Sequence, residues 1–152
     1  MKHSTRRSET PSRPSEGLRR LAWFRYRIRR FLRFSERVAR SHGVTPQQHQ
    51  LLLGVAGYTG RGWATITELA EFLQARHNAV VGLVQRAAEK RLVRKVHGER
   101  DRRFVKVYLT PRGLAILEEI SRVNLAELRK LQLGIQKSSQ SRPRNIPTAQ
   151  GV

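Results

Sequence analysis

Apolar residues recur at helical spacing in two long segments, one near each end of the chain. In residues 17–41 these positions are Leu18, Leu21, Ile28, Leu32, Val38 and Ala39. In residues 111–136 they are Leu114, Leu117, Ile120, Val123, Leu128 and Leu131. The spacing predicts two long amphipathic helices. Gly43 is expected to end the first, and Thr110 with Pro111 to open the second.

Three shorter helices are predicted between the long ones. Thr45 and Pro46 form an N-cap and a first helical residue for a helix that runs to about residue 56. Thr65 and Glu68 have the spacing of a capping box, which predicts a short helix over 66–73. A third helix is expected over 77–91. Its predicted buried face consists of Val80, Leu83, Val84 and Ala87.

The period then changes from helical to alternating. Residues 93–96 and 105–109 predict two strands of a hairpin, joined by a charged turn at 97–102. The order of elements predicts a mainly α fold with a small β-hairpin wing, which is a winged helix-turn-helix. The two long helices carry more apolar surface than one domain can hide, which predicts that they are dimerisation helices from both termini. The expected organisation is a disordered basic tail at 1–16, one domain at 17–136 and a second such tail at 137–152.

Aromatic residues are concentrated in the first predicted helix, interleaved with arginines. They are Trp23, Phe24, Tyr26, Phe31 and Phe34. The apolar residues extend more than halfway round the helix, so they need a second surface to bury against, and another subunit is the simplest one. The alternative is a basic amphipathic helix lying on an anionic membrane. The missing polar face favours the dimer, and no membrane partner is expected.

The charge balance favours a polyanionic partner. Lys and Arg number 31 against 11 Asp and Glu, a formal net charge of +20, and binding to phosphates releases counterions. The absence of cysteine excludes a disulfide scaffold and a thiolate metal site, and neither a metal nor a cofactor is expected. The longest apolar run, 51–57, is too short to span a membrane. A transit peptide is the alternative reading of the N-terminal tail, against which Glu9 and Glu16 argue.

The face of helix 77–91 opposite its predicted core is rich in side chains that can hydrogen-bond base edges. The candidate DNA-binding residues there are Arg76, His77, Asn78, Val81, Gly82, Gln85 and Arg86. The candidate wing residues are Arg100, Asp101, Arg102 and Arg103, on a narrow protrusion suited to the minor groove. The alternative for each position is an ordinary solvated side chain.

Several of these segments together resemble the MarR (multiple antibiotic resistance regulator) family. They are Glu68-Leu69-Ala70, Leu83-Val84-Gln85-Arg86, Asp101-Arg102-Arg103 and Leu109-Thr110-Pro111-Arg112-Gly113. The resemblance covers about residues 17–131. It implies a homodimer that binds a pseudo-palindromic operator, with Asp101 orienting Arg103 in the wing. It also implies small anionic or phenolic effectors bound between the dimerisation helices and the DNA-binding lobe.

The chain departs from this family pattern at three points. Gln74-Ala75 stands where glycine is common, and Arg76-His77-Asn78 replaces a usual Ser cap, with Asn78 or Gln74 as possible substitutes. The extra C-terminal helix of many members is replaced by a Ser/Pro/Arg tail. The lack of cysteine excludes the peroxide-sensing branch.

The protein is expected to be a cytoplasmic, nucleoid-associated transcriptional regulator that binds double-stranded DNA, most simply as a homodimeric repressor. The alternative is a non-specific architectural protein associated with DNA or RNA. An enzyme is not expected, because no catalytic motif is present. An effector pocket is expected at Trp23, Tyr26, Arg29, Arg30 and His49, where rings could stack and guanidinium groups could pair a carboxylate. The alternative is that these rings are dimer core.

Overall fold

A computed structural model describes the backbone of residues 13–98 and 104–140, and the side chains of 13–98 and 104–132. The elements in chain order are α1 (Glu16–Ser41), α2 (Pro46–Leu53), a π-helical turn (Gly54–Tyr58), β1 (Trp63–Thr65), α3 (Ile66–Leu73), α4 (His77–Glu89), β2 (Val93–His97), β3 (Val105–Leu109) and α5 (Pro111–Gln140). This is the predicted winged helix-turn-helix, mainly α with a small antiparallel sheet.

Threonine caps fix the starts of three helices. Thr45 and Thr65 each form a complete capping box, with Gln48 and Glu68 as the reciprocal partners. The Thr110 hydroxyl accepts a bond from the Gly113 N–H at 3.0 Å and so caps the start of α5. These bonds satisfy N–H groups that a helix start leaves without an intrahelical partner.

The sheet has the strand order β1-β3-β2 and is antiparallel throughout. Trp63 pairs with Tyr108, which pairs in turn with Arg94 on the other side. The hairpin strands β2 and β3 were predicted, whereas β1 was not. Three residues are too few to show alternation, so the strand is defined by its pairing with β3.

One apolar core joins the helices to the inner face of the sheet. Leu51 and Leu52 of α2, Leu69 of α3 and Ile120 of α5 are fully buried, as is Val107 of β3. The helices α1 and α5 pack along each other. At their contact the Asn124 amide donates to the Ser35 hydroxyl at 2.9 Å, while the buried Asn124 Oδ1 has no hydrogen-bond partner among the described residues.

Four predicted helix boundaries differ from the structure, and strand β2 extends one residue into the predicted turn, to His97. The helix expected to reach residue 56 ends as α-helix at Leu53 and continues as a π-helical turn through a glycine-containing segment. The helix expected over 77–91 ends at Glu89, and Arg91 follows with a left-handed φ of 56°. The last helix extends four residues past 136, since the next proline after Pro111 comes only at 143.

The fourth difference concerns the N-terminal tail. Helix α1 begins at Glu16, one residue inside the predicted tail, because the Ser15 hydroxyl accepts from the Leu18 N–H and caps it. The remainder of both predicted tails, 1–12 and 141–152, lies outside the described residues.

Candidate nucleic-acid interface

Helix α4 has one buried face and one exposed face, as its sequence predicted. Val80, Leu83, Val84 and Ala87 are its buried residues. Of the seven candidate DNA-binding positions at this helix, only Gly82 is half-buried. The six exposed positions are Arg76, His77, Asn78, Val81, Gln85 and Arg86. Because the core fixes the rotation of α4, the exposed side chains point away from the domain as one surface.

The turn that leads into α4 does not use the cap expected for it. Gln74 ends α3 in a left-handed conformation, with φ 50° and ψ 43°. Arg76 occupies the N-cap position with extended backbone and no side-chain bond to the helix. Neither Gln74 nor Asn78 therefore replaces the serine cap, since Gln74 lies before the N-cap and Asn78 lies inside the helix. Asn78 is exposed beside the uncapped start of α4.

Two residues near the end of α4 are held by neighbours. The Gln85 amide donates to Glu89 at 3.1 Å, and its oxygen accepts a bond from Lys95 of β2. Arg86 lines a cleft of about 380 Å³ against the N-terminal part of α2, together with Thr45, Gln47, Gln48, Leu83, Glu89 and Lys90. No sequence pattern points to Lys95, because its contact depends on how the hairpin folds beside α4.

Gly82 leaves open space on the exposed side of α4. A Cβ built at this position would meet only the far end of the Arg86 side chain, at 3.3 Å. The glycine is therefore not required by packing inside the domain. A backbone without a side chain allows a second surface to approach α4 closely.

The candidate wing residues Arg100, Asp101, Arg102 and Arg103 lie outside the described residues. The two strands that carry the wing are described up to its base. There the Gly98 N–H donates to the Phe104 carbonyl at 2.8 Å. The hairpin is therefore closed at the point from which the charged segment extends.

The residues of the predicted effector pocket lie in two places. Trp23 and Tyr26 form an edge-to-face pair with centroids 5.5 Å apart, and the Arg30 guanidinium lies 6.0 Å from the Tyr26 ring. Arg29 is exposed on the same helix. His49 instead lies in α2, and its side chain is buried.

His49 is a core residue of the domain. Its Nε2 is buried and has no hydrogen-bond partner in the part of the chain that the structure describes. Burial lowers the pKa of its ring because the charged form loses hydration. Helix α2 follows the C-terminal end of α1, which lies about 27 Å along the helix axis from Trp23 at 1.5 Å per residue. The five residues therefore do not form one pocket within this chain.

A cleft does lie between α1 and α5. It encloses about 290 Å³ and is lined by Arg27, Arg30, Phe31, Glu127, Lys130 and Leu131. Of the residues expected in an effector pocket, Arg30 alone is among those lining it. Among the described residues, no helix has the length and apolar character needed to cross a membrane.

The fold and its exposed helix define the class as a winged helix-turn-helix protein. Residues 42–103 match the model of the MarR family. The repressor MdtR of Bacillus subtilis, an HTH-type transcriptional repressor, is 32% identical over 78 residues, which are 51% of this chain and 48% of MdtR. The chain thus spans about half the length of the curated relative that it matches.

Two solved structures share the fold. AbsC from Streptomyces coelicolor, a MarR family transcriptional regulator, has a TM-score of 0.64 at 20% identity. The match covers 82% of this chain and 84% of the AbsC chain. A mutant MarR from E. coli complexed with operator DNA has a TM-score of 0.60 at 23% identity. The match covers 76% of this chain and 80% of the E. coli chain. The family-model match over residues 42–103 confirms the resemblance to the MarR family found in the sequence.

Proposed function

We propose that this protein is a homodimeric transcriptional repressor that reads a pseudo-palindromic operator with α4. One observation carries the proposal: α4 exposes His77, Asn78, Val81 and Gln85 together, opposite a face fully committed to the core. An α-helix fits the major groove, and amide and imidazole groups can bond base edges there. The E. coli relative was solved with operator DNA, and MdtR is named a repressor.

The dimer is supported by the N-terminal half of α1. Leu18 is 62% exposed, Trp23 58% and Leu21 55%, which is unusual for large apolar side chains on one helix. An apolar surface of this kind marks a protein contact. A second copy of the chain would bury this surface, and a two-fold dimer would present two α4 helices to the two half-sites of a pseudo-palindromic operator.

An effector is proposed for the cleft between α1 and α5. Arg30 supplies a cationic group beside the Phe31 ring, and Arg27 and Lys130 also line the cleft, where Lys130 is paired with Glu127 at 3.3 Å. Cations beside an aromatic ring suit a small aromatic acid, since a guanidinium group pairs a carboxylate. In a dimer this cleft adjoins the assembly helices, so its occupation would change how the two α4 helices are spaced.

The test begins by selecting bound fragments from the native genome and then measuring their affinities. We expect Asn78→Ala to weaken the selected operator by about 1–3 kcal/mol while changing random duplex DNA little. Gln50→Ala, an exposed amide on α2, is the matched control. Equal weakening of operator and random DNA by Asn78→Ala would refute base reading by this residue. Release of the operator by small aromatic acids tests the effector.

A non-specific architectural protein is the second candidate function, and the net charge of +20 favours it. The two functions differ in the ratio of specific to random binding at physiological salt. A repressor keeps a large ratio, whereas an architectural protein binds all duplexes alike and loses affinity steeply as salt rises. Both functions would place the protein in the cytoplasm with the nucleoid.

A further inference from the structure

The outer face of the small sheet carries aromatic and cationic side chains in alternation. Register places Trp63, Tyr108 and Arg94 in one row across the three strands, and Thr65, Lys106 and Val96 in the next. The neighbouring row, which contains Ala64 and Val107, points the other way into the core. Side chains of successive residues alternate between faces of a sheet, so the two rows with rings and cations share its outer face.

Each ring on this face has a cation placed over it. The Arg61 guanidinium lies 4.0 Å from the Trp63 centroid, and the Lys106 ammonium lies 4.6 Å from it. The Arg94 guanidinium lies 4.3 Å from the centroid of Tyr108. Trp63 and Tyr108 are themselves 6.2 Å apart. The stacked arrangement limits where these long side chains can go, so the cations are positioned before any partner arrives.

The charges on the face are not all compensated within the domain. Arg61 forms an ion pair with Glu68, with bonds of 2.6 and 2.8 Å, and is thereby neutralised. Arg94 and Lys106 take part in no ion pair among the described residues. Phe104, at the wing end of β3, is 45% exposed. Two uncompensated cations therefore lie beside a row of rings.

We propose that this outer sheet face, called here the ring-cation face and made of Trp63, Arg94, Phe104, Lys106 and Tyr108, binds single-stranded nucleic acid. Unpaired bases stack on aromatic rings and on guanidinium planes, and cations follow the phosphates. A duplex keeps its bases stacked on one another and offers them to no ring. Trp63 and Tyr108 are half-buried beneath these cations, whereas Arg94 and Phe104 are exposed. The Arg94 guanidinium plane and the Phe104 ring therefore offer stacking surfaces that fit a single strand, of RNA or of DNA.

The ring-cation face lies on the opposite side of the sheet from α4. Lys95, in the inward-pointing row of β2, contacts Gln85 of α4, so α4 lies toward the inner face. A duplex held by the exposed surface of α4 leaves the outer face of the sheet accessible. The proposed site is therefore separate from the operator surface and does not rest on the repressor function.

The experiment measures binding of the full-length protein to labelled oligo-uridine RNA and oligo-thymidine DNA of about 12 nucleotides. A random-sequence duplex serves as the comparison, all at about 0.15 M salt. We expect Arg94→Gln combined with Phe104→Ala to weaken single-strand binding about tenfold or more. Affinity for the duplex should stay within about twofold of the parent protein.

Controls separate this site from general basicity and from α4. Arg129→Gln, at an exposed position on α5, removes one positive charge as Arg94→Gln does and should leave single-strand binding unchanged. Asn78→Ala should do the same while weakening the operator. If the double variant folds poorly, the single substitution Lys106→Gln in the ring-cation face replaces it, and it should likewise weaken single-strand binding. Tighter binding of the RNA probe than the DNA probe identifies RNA as the source, and equal binding identifies both.

Tryptophan fluorescence gives an independent readout. The chain has two tryptophans, so Trp23→Phe leaves Trp63 as the single reporter. Stacking of a base should quench Trp63 when a single strand is added, whereas the duplex should not. Three results would overturn the proposal: unchanged single-strand affinity in the Arg94 and Phe104 variant, an equal loss for duplex DNA, or no response of Trp63 to bound single strands.

Discussion

Gly113 lies so close to another backbone segment that no residue with a Cβ fits at its position. It lies in the first turn of α5, against the Leu92 carbonyl, and a Cβ built there would be 2.0 Å from that oxygen. We expect Gly113→Ala to lower the free energy of unfolding by about 1–3 kcal/mol, because backbone on both sides has to shift. Urea denaturation followed by circular dichroism measures the change.

The matched control is Gly57→Ala in the π-helical turn, where an added Cβ meets nothing within 4 Å. That variant should be neutral or slightly stabilising, since alanine restricts the unfolded chain. If the two variants unfold at the same urea concentration, the close approach to Leu92 is not a constraint on the fold.

His49 makes stability depend on pH. Burial holds its pKa in the folded protein below the ordinary value of 6.5. As the pH falls through that value, the unfolded chain takes up a proton that the folded chain does not, so the free energy of unfolding decreases. Above it both states are neutral at His49 and its contribution is constant.

Urea midpoints at about pH 7.5 and about pH 5.5 test this contribution. We expect His49→Leu to show a smaller decrease between the two pH values than the parent protein. The exposed His77 supplies the control, and His77→Gln should keep the parental decrease. An unaltered decrease in His49→Leu would rule out proton uptake at this residue as a cause.

At the scale of elements, α4 combines a weak start with an exposed surface. Arg76 is at its N-cap in an extended conformation, with φ −67° and ψ 141°, and makes no capping bond. Serine in that conformation accepts a bond from the first turn. Arg76→Ser should therefore raise the free energy of unfolding by about 0.5–2 kcal/mol.

The same substitution removes a cation beside the proposed operator surface, so affinity for duplex DNA should fall and its salt dependence should flatten. Denaturation and DNA titration of one variant measure both effects. Arg112→Ser, in the first turn of α5, removes the same charge without providing an N-cap. A variant Arg76→Ser that is no more stable than the parent would show that the start of α4 is satisfied in another way.

The elements that the sequence predicted well are those whose ends carry local signals. Thr45, Thr65 and Thr110 each form the expected cap, and the apolar period of α4 gave its buried face correctly. Strand β1 was missed because it is set by pairing with residues more than 40 positions later. The cap predicted for α4 was wrong, because Arg76 occupies the N-cap position and makes no capping bond with its side chain.

The same division applies to the candidate site. The apolar spacing within α4 predicts its buried face, and the opposite face is then the exposed one. The bond of Gln85 to Lys95 and the rings over which Arg94 and Lys106 lie depend on the sheet register, which brings distant segments together. The predicted effector residues lie in two places for a related reason, since periodicity does not place Trp23 and His49 in space.

For the whole molecule, the exposed half of α1 predicts assembly. Leu21→Glu should shift the protein from dimer toward monomer, because a charge placed in an apolar contact loses hydration. Analytical ultracentrifugation at micromolar concentration measures the distribution. Leu53→Glu, at a position 37% exposed on α2, introduces the same charge away from α1 and should remain dimeric. A parent protein that sediments at 17.5 kDa would contradict the dimer.

The exposed half of α1 also has a consequence for the life of a newly made chain. A helix that leaves its large apolar side chains uncovered gains most of its stability from a partner, so in the proposed dimer folding and association are one equilibrium. Mass action then makes the folded fraction increase with the number of copies in the cell. A chain made in few copies would spend more time open to proteases, and abundance would itself set how much working protein survives.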